Sequence, residues 1–332
     1  MTLQDIKKIA VIGSGTMGPG IALDFAKAGY TVRLCARREA SLESARSGVH
    51  ANLLTLAKNE LVPSGEIGKI EKFITYTLSI AEAAKDADFI VECINEKKDA
   101  KIELFKQLDT LCRPDAIFAS NTSYLNIFEL VPESRIANTV VAHWFAPPHI
   151  LPLVEVVREP RTSDETERVV LELLKGIGKV PVLMKKYVPG HAINRLLRII
   201  GREVFFLLDN GYMTADQLDL AVKASIAPRM CLLGVVQRYD FTGLDLSAGN
   251  LRLANYPEPP LDNAPKCLVD LVAQGDLGVK SGRGFFDYQD KPLEATLAER
   301  DDNLIRILKA VDFTLRTNPA AVASKAAEAK TK

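Results

Sequence analysis

Two apolar runs carry the side chains best suited to moving a proton: "VVAHWFAPP" holds His143 and "LPLVEVV" holds Glu155. A histidine titrates near neutrality, so it can take a proton in one direction of a reaction and return it in the other. Both runs read as strands, Asn138–His143 and Leu153–Val157. His143 ends its strand, and Glu155 lies on the next one, where a carboxylate is in position to pair with the imidazole. Such a partner fixes the tautomer and stabilises the charged ring. A second signal lies near the start of the chain, where Gly13, Gly15 and Gly18 in "VIGSGTMGPG" follow an apolar strand and open a helix. In that context G-x-G-x-x-G is a dinucleotide signature: a tight turn, a backbone that a pyrophosphate can approach, and a close strand–helix contact.

The next strand ends in "VRLCARRE". An acid at this point would accept hydrogen bonds from the adenosine ribose and repel a 2′-phosphate. Ala36 removes the repulsion, and Arg37 and Arg38 add two fork-shaped donors suited to phosphate. This chemistry favours NADP(H) over NAD(H). The competing reading leaves both arginines in solvent at the start of a loop, one of them stacked on adenine.

Strand candidates at Lys8–Gly13, Thr31–Ala36, Phe89–Cys93, Ala116–Ser120, Asn138–His143, Leu153–Val157 and Val180–Met184 alternate with helical segments. This is the α/β pattern of a mostly parallel sheet covered by helices. A helix predicted over Ser41–Val62 ends near Pro63 and Gly65, and the stretch after it, through Lys72, is expected to return to the sheet. From about Gly190 the strand signals stop, which predicts a sheet domain over 1–188, a helical domain over 189–290 and an extension over 291–332. Within the extension a helix is predicted over Leu293–Arg316, and "NPAAVASKAAEAKTK" is expected to fray.

With 332 residues the chain is long enough for two domains. Forty-two basic residues balance forty-two acidic ones, which argues against nucleic acid or an anionic membrane as partner and for a small-molecule substrate. No signal peptide or spanning segment is read, and the expected location is cytoplasmic. The cysteines Cys35, Cys93, Cys112, Cys231 and Cys267 lack metal-ligand spacing and are expected to be buried thiols; no metal is expected.

"SNTSYLNI", "AHWFAPPHILPLVEVV", "PGHAINRLL", "DFTGLD" and "GVKSGRGFFDY" occur in that order, and with the glycine turn they resemble the L-3-hydroxyacyl-CoA dehydrogenase family over about residues 6–288. The resemblance implies a Rossmann-type doubly wound domain followed by an all-α domain that forms a homodimer. It also implies hydride exchange between a nicotinamide and a 3-hydroxyacyl or 3-ketoacyl group, an acyl-CoA thioester in the family. It assigns His143 and Glu155 the acid–base roles and gives Ser123 and Asn194 the task of hydrogen-bonding the reacting oxygen. Ser14, Thr16, Met17, Glu96, Lys101, Ser123 and Lys280 join the glycines and arginines as cofactor contacts. Taken singly, His143 is compatible with a packing histidine, Ser123 and Thr122 with capping a helix near Asn126, and Asn194 with bridging helices.

The pattern is also broken in places. Ala146 stands where the family has an asparagine that helps place the nicotinamide, and Asn52 and Asn59 stand where acyl-CoA members carry a serine and a lysine, with Lys58 a substitute. Alternatives therefore stay open: a dehydrogenase of a small free hydroxy acid, such as a sugar acid or a carnitine-like compound, or a non-catalytic cofactor-binding protein. His149 and His191 are read as partly buried side chains with backbone partners, His50 as exposed, and Arg229 and Arg238 as partners of acids such as Asp240 and Asp245.

Overall fold

The computed structural model describes residues 2–253 and 258–316; the segment Asn318–Lys332 lies outside them. The chain divides into two compact units, Met1–Leu196 and Leu197–Lys332. The first is built on one eight-stranded sheet in the order β3-β2-β1-β4-β5-β6-β7-β8. Its strands are β1 (Lys8–Ile12), β2 (Thr31–Cys35), β3 (Ile74–Thr77), β4 (Phe89–Glu92), β5 (Ile117–Ser120), β6 (Thr139–Trp144), β7 (Leu153–Val157) and β8 (Val180–Met184). All neighbours run parallel except β6 and β7, which are antiparallel. With helices on its faces this is the expected Rossmann-type doubly wound fold.

The central strands read as unbroken apolar runs because both sheet faces are covered: β4, β5 and β6 are buried at every position. Helix α1 (Gly18–Lys27) buries Ile21, Leu23 and Phe25 and stops at Gly29, whose φ is 86°. The Phe25 ring meets Phe89 at 5.9 Å and Trp144 at 6.2 Å between centroids, which fixes α1 on β4 and β6. Next come α2 (Glu39–Lys58), α3 (Ile67–Glu71), α4 (Ile80–Ala84), α5 (Lys98–Leu111) and α6 (Asp164–Gly176). Ser163 caps α6 by accepting from the Thr166 amide, and acids fill its first turn.

One expectation fails here. Residues 64–71 do not return to the sheet: Ser64–Glu66 and Ile67–Glu71 are helical turns, and the strand begins at Ile74. Ile67 and Ile70 lie three apart, a helical interval, so their β-branched character was the misleading signal and their spacing the informative one.

Helix α7 (Ile193–Asp209) begins in the first unit, and the division between units falls within it. The second unit continues with α8 (Ala215–Ala221), a π-helical turn at Val222–Ile226, α9 (Ala227–Thr242) kinked at Gly234, α10 (Leu244–Asn250), α11 (Lys266–Ala273) and α12 (Leu293–Arg316). Among the described residues it contains only isolated β-bridges, Gly278 to Arg283 and Arg283 to Asp287, and no longer strand. No helix among the described residues is long and apolar enough to cross a membrane.

Candidate active site

The loops after β1, β4, β5 and β6 leave the sheet at one edge, the edge at which open α/β sheets bind ligands. After β1 the chain turns at Gly13, with φ 121°, where a Cβ would meet the Cys93 carbonyl at 2.5 Å. A Cβ on Gly18 would stand 2.0 Å from the Gly13 carbonyl, so the start of α1 closes onto the turn only because that atom is missing. A Cβ on Gly15 would meet nothing within 4 Å. A groove of about 820 Å³ opens there, lined by Gly13, Ser14, Gly15, Ala36, Arg37 and Arg38 among others. The narrow turn, the open backbone at Gly15 and the volume fit a dinucleotide. Thr16, Met17 and Gly18 adjoin the groove without lining it.

Register produces the acid–base pair. In the antiparallel ladder His143 on β6 stands directly opposite Glu155 on β7, so their side chains leave the same face. His143 Nδ1 lies 3.0 Å from Glu155 Oε2. Burial pushes the Glu155 carboxyl up, but the hydrogen bonds from His143 and from the Ile193 and Ala192 amides outweigh it, and the net shift is downward. An ionised carboxylate only accepts, so Nδ1 carries the proton and Nε2 presents its lone pair. Ser123 Oγ lies 3.1 Å from that Nε2. Both side chains of the pair are almost wholly buried, and the other oxygen of Glu155 takes the Ala192 and Ile193 amides at 2.9 Å each. The relay thus runs from the start of α7 through Glu155 and His143 to Ser123.

Ser123 is positioned by Glu96. One oxygen of that carboxylate accepts from Thr122 Oγ1 at 2.5 Å and from the Ser123, Tyr124 and Leu125 amides at 3.0, 2.9 and 3.3 Å. Burial raises the Glu96 carboxyl, but Thr122, the Tyr124 amide and Lys101 together hold it below its ordinary value. No helix begins at Asn126 for Ser123 and Thr122 to cap; a short 3₁₀ turn spans Ile127–Glu129 instead. Lys101 points inward, 1% exposed, with Nζ 2.6 and 2.7 Å from the two oxygens of Glu92 and 3.3 Å from Glu96. Ser120 Oγ donates to the same Glu92 at 2.5 Å. Sequence reading missed Glu92 and Ser120. Glu92 had a signal, since a carboxylate inside an apolar strand must find a cation or donors.

Other candidates fall elsewhere. Asn194 lies in the first turn of α7, and its side chain makes no hydrogen bond among the described residues. Lys280 is exposed in the turn Val279–Ser281 of the second unit. Asn52 and Asn59 are half-buried on and at the end of α2, where Asn59 donates to the Thr55 carbonyl, and Lys58 is exposed. The peptide bond Ala146-Pro147 is cis, and the loop it begins is held by Lys179, which donates to the Pro148 carbonyl at 2.5 Å and pairs with buried Asp24 at 2.7 Å. His149 and His191 are fully rather than partly buried. His50 is exposed, as expected, beside Glu71.

Two expectations are corrected. Arg229 donates to the Ser225 carbonyl and hydroxyl, and Arg238 lies over the Tyr239 ring; neither pairs with Asp240 or Asp245. Of the thiols, Cys35 and Cys112 are buried, Cys93 and Cys267 only half-buried, and Cys231, on α9 in the second unit where few side chains are covered, is exposed. No cluster of potential metal ligands occurs among the described residues.

Fold and glycine turn define a dinucleotide-binding protein. Residues 8–187 match the 3-hydroxyacyl-CoA dehydrogenase NAD-binding domain and residues 190–288 the C-terminal domain of the same name, so the chain belongs to the 3-hydroxyacyl-CoA dehydrogenase family. It is 31% identical to 5-formyl-3-hydroxy-2-methylpyridine 4-carboxylate 5-dehydrogenase of Mesorhizobium japonicum, over 92% of this chain and 99% of that one. It is 34% identical to mouse mitochondrial hydroxyacyl-coenzyme A dehydrogenase, over 86% of this chain and 92% of the relative. A solved structure of such a pyridine-carboxylate dehydrogenase, described as an NAD+ dependent dismutase, superposes with TM-score 0.83 at 30% identity, covering 92% of this chain and 99% of that one.

Proposed function

We propose that the protein interconverts a 3-hydroxyacyl and a 3-ketoacyl group, with a CoA thioester as the carrier, and that His143 is the general acid and base. The observation that carries this reading is the relay from the Ala192 and Ile193 amides through Glu155 and His143 to Ser123. Glu155 keeps the proton on Nδ1, which leaves Nε2 to take the hydroxyl proton as the alcohol is oxidised. In the reverse direction the imidazolium, stabilised by the same carboxylate, returns it. Ser123 donates to the reacting oxygen as negative charge gathers there, and Asn194 is assigned the same task. The nicotinamide, when bound, accepts or supplies the hydride.

Arg37 and Arg38 are assigned to the 2′-phosphate of NADP(H), with NAD(H) the alternative. Both are exposed on the groove, and neither guanidinium makes an ion pair or hydrogen bond among the described residues. Ser41 and Ser44, on the same lining, add hydroxyl donors. Buried Ala36 leaves no charge to oppose the phosphate. Ser14, Gly15 and the start of α1 are assigned to the pyrophosphate. Glu96 serves this site by holding the Ser123 turn, and Lys101 by neutralising Glu92 and Glu96 beneath it. Self-association is assigned to the second unit, whose helices leave large apolar side chains exposed.

A second reading, a small free carboxylic acid as substrate, is favoured by the likeness to the pyridine-carboxylate enzyme over nearly the whole of both chains. Assaying acetoacetyl-CoA and acetoacetate side by side separates the two. Preference for the thioester supports the first reading, and turnover of the free acid alone replaces it. Separate fluorescence titrations with NADPH and NADH test the coenzyme, and tighter binding of NADH by the unmodified protein overturns the assignment to NADP(H).

A further inference from the structure

His191 touches both supports of the relay at once. Its Nε2 lies 2.9 Å from the Thr122 carbonyl, one residue before Ser123. Its own peptide leads directly into the Ala192 and Ile193 amides that hold Glu155. The ring is wholly buried, with its centroid 5.2 Å from that of His143 and 6.0 Å from that of Tyr187. A carbonyl only accepts, so Nε2 carries the proton, and in the neutral ring Nδ1 is bare; Nδ1 is buried without a hydrogen-bond partner among the described residues.

The backbone at His191 has φ 50°, a left-handed conformation unfavourable for a residue with a Cβ. A strained backbone and a half-satisfied polar ring are costly ways to fill a position where an apolar ring would pack. Burial pushes the His191 ring below its ordinary pKa; the Thr122 carbonyl, Glu155 and Glu96 pull the other way and His143 adds to the depression. The ring therefore stays neutral beside a histidine that carries charge for part of the cycle.

We propose that His191 is a positioning residue for proton transfer: it ties the Thr122–Ser123 turn to the Glu155 cradle, so that both ends of His143 are engaged together. The proposal rests on His143 being the acid–base group. It differs from core filling in depending on the N–H rather than on the ring.

His191→Gln keeps an N–H at a similar reach, and His191→Phe keeps a ring without the donor. With acetoacetyl-CoA or acetoacetate, whichever is turned over, His191→Phe is expected to lower kcat roughly tenfold to a hundredfold. KM, coenzyme affinity and Tm should change little, and His191→Gln should recover most of the loss. Independently of substrate, the ¹⁵N resonance of His143 Nε2 should leave its hydrogen-bonded position in His191→Phe and keep it in His191→Gln. An unchanged kcat and resonance in His191→Phe overturn the proposal. Equal losses in both variants, or losses matched by a fallen Tm and weaker coenzyme binding, overturn it too, since they mark a packing role. His143→Gln, run alongside, tests the acid–base assignment separately; full turnover there removes that assignment whatever the His191 variants do.

Discussion

The two compact units bury their apolar residues to very different degrees. In Met1–Leu196 the large apolar side chains of the sheet are mostly buried, those of the edge strand β8 excepted, whereas Ile199, Ile200, Phe241, Leu246 and many others of Leu197–Lys332 stand exposed. Some two-fifths of the chain thus contributes a single large apolar side chain, Ile305, to the buried core of the described residues. A closed core holds charged groups in fixed register, and every member of the proposed proton relay lies in the unit that has one. The open unit presents apolar helix faces of the kind that obligate interfaces bury.

Experiments can break this contrast from either side. The largest effect is expected from His143→Gln: turnover should fall by roughly 10²–10⁴, while coenzyme binding and self-association stay intact. Steady-state kinetics and fluorescence titration check it, and a variant that lost association as well would show the units to be coupled. Phe25→Ala removes a fully buried ring between Phe89 and Trp144 and should cost about 3–5 kcal/mol in urea unfolding. Arg37→Asp should move the preference between NADPH and NADH by roughly tenfold or more towards NADH, since one hydrogen bond to a charged group is worth about 1.5–3 kcal/mol. Phe241→Ala, on an exposed ring, should shift stability by no more than about 0.5 kcal/mol while weakening self-association in sedimentation velocity.

Acid should also separate the units. Glu155 and Glu96 are held below the ordinary glutamate value of 4.5, and depressed carboxyls stabilise the fold above that pH and lose the contribution as pH falls through their folded values. His191 is held below the ordinary 6.5, so the unfolded chain takes up its proton first and stability begins to fall as pH drops below that value. The depressed carboxyls of the second unit, Asp209 and Asp216, are on exposed positions and contribute less. A thermal melt followed by a reporter in each unit should therefore move to lower temperature with acid in the first unit before the second.

Seven of the eight strands were legible in the sequence because buried strands announce themselves as short apolar runs between helical periods; β3, a partly exposed strand at the edge of the sheet, was not. His143 was legible as a histidine at a strand end and Glu155 as a carboxylate inside the next apolar strand, and their neighbours by resemblance. The inward turn of Lys101 was not, because the partner that captures it, Glu92, belongs to a strand and the lysine to the following helix; pattern within either element gives no angle between them. Nor did spacing reveal that His191 bonds Thr122, a contact across 69 positions of chain. The stretch 64–71 misled because residue type and residue interval disagreed over a span too short for either to dominate.

The antiparallel step between β6 and β7 has a consequence for how such a chain can vary. The opposition of His143 and Glu155 is fixed by main-chain ladder bonds, so lengthening or shortening the connection from Phe145 to Pro152 alters a loop and leaves the couple facing. Inserting one residue inside either strand before the couple would rotate one partner to the far side of the sheet. Substrate choice in this architecture can therefore drift through its loops while the proton-handling couple is inherited almost untouched.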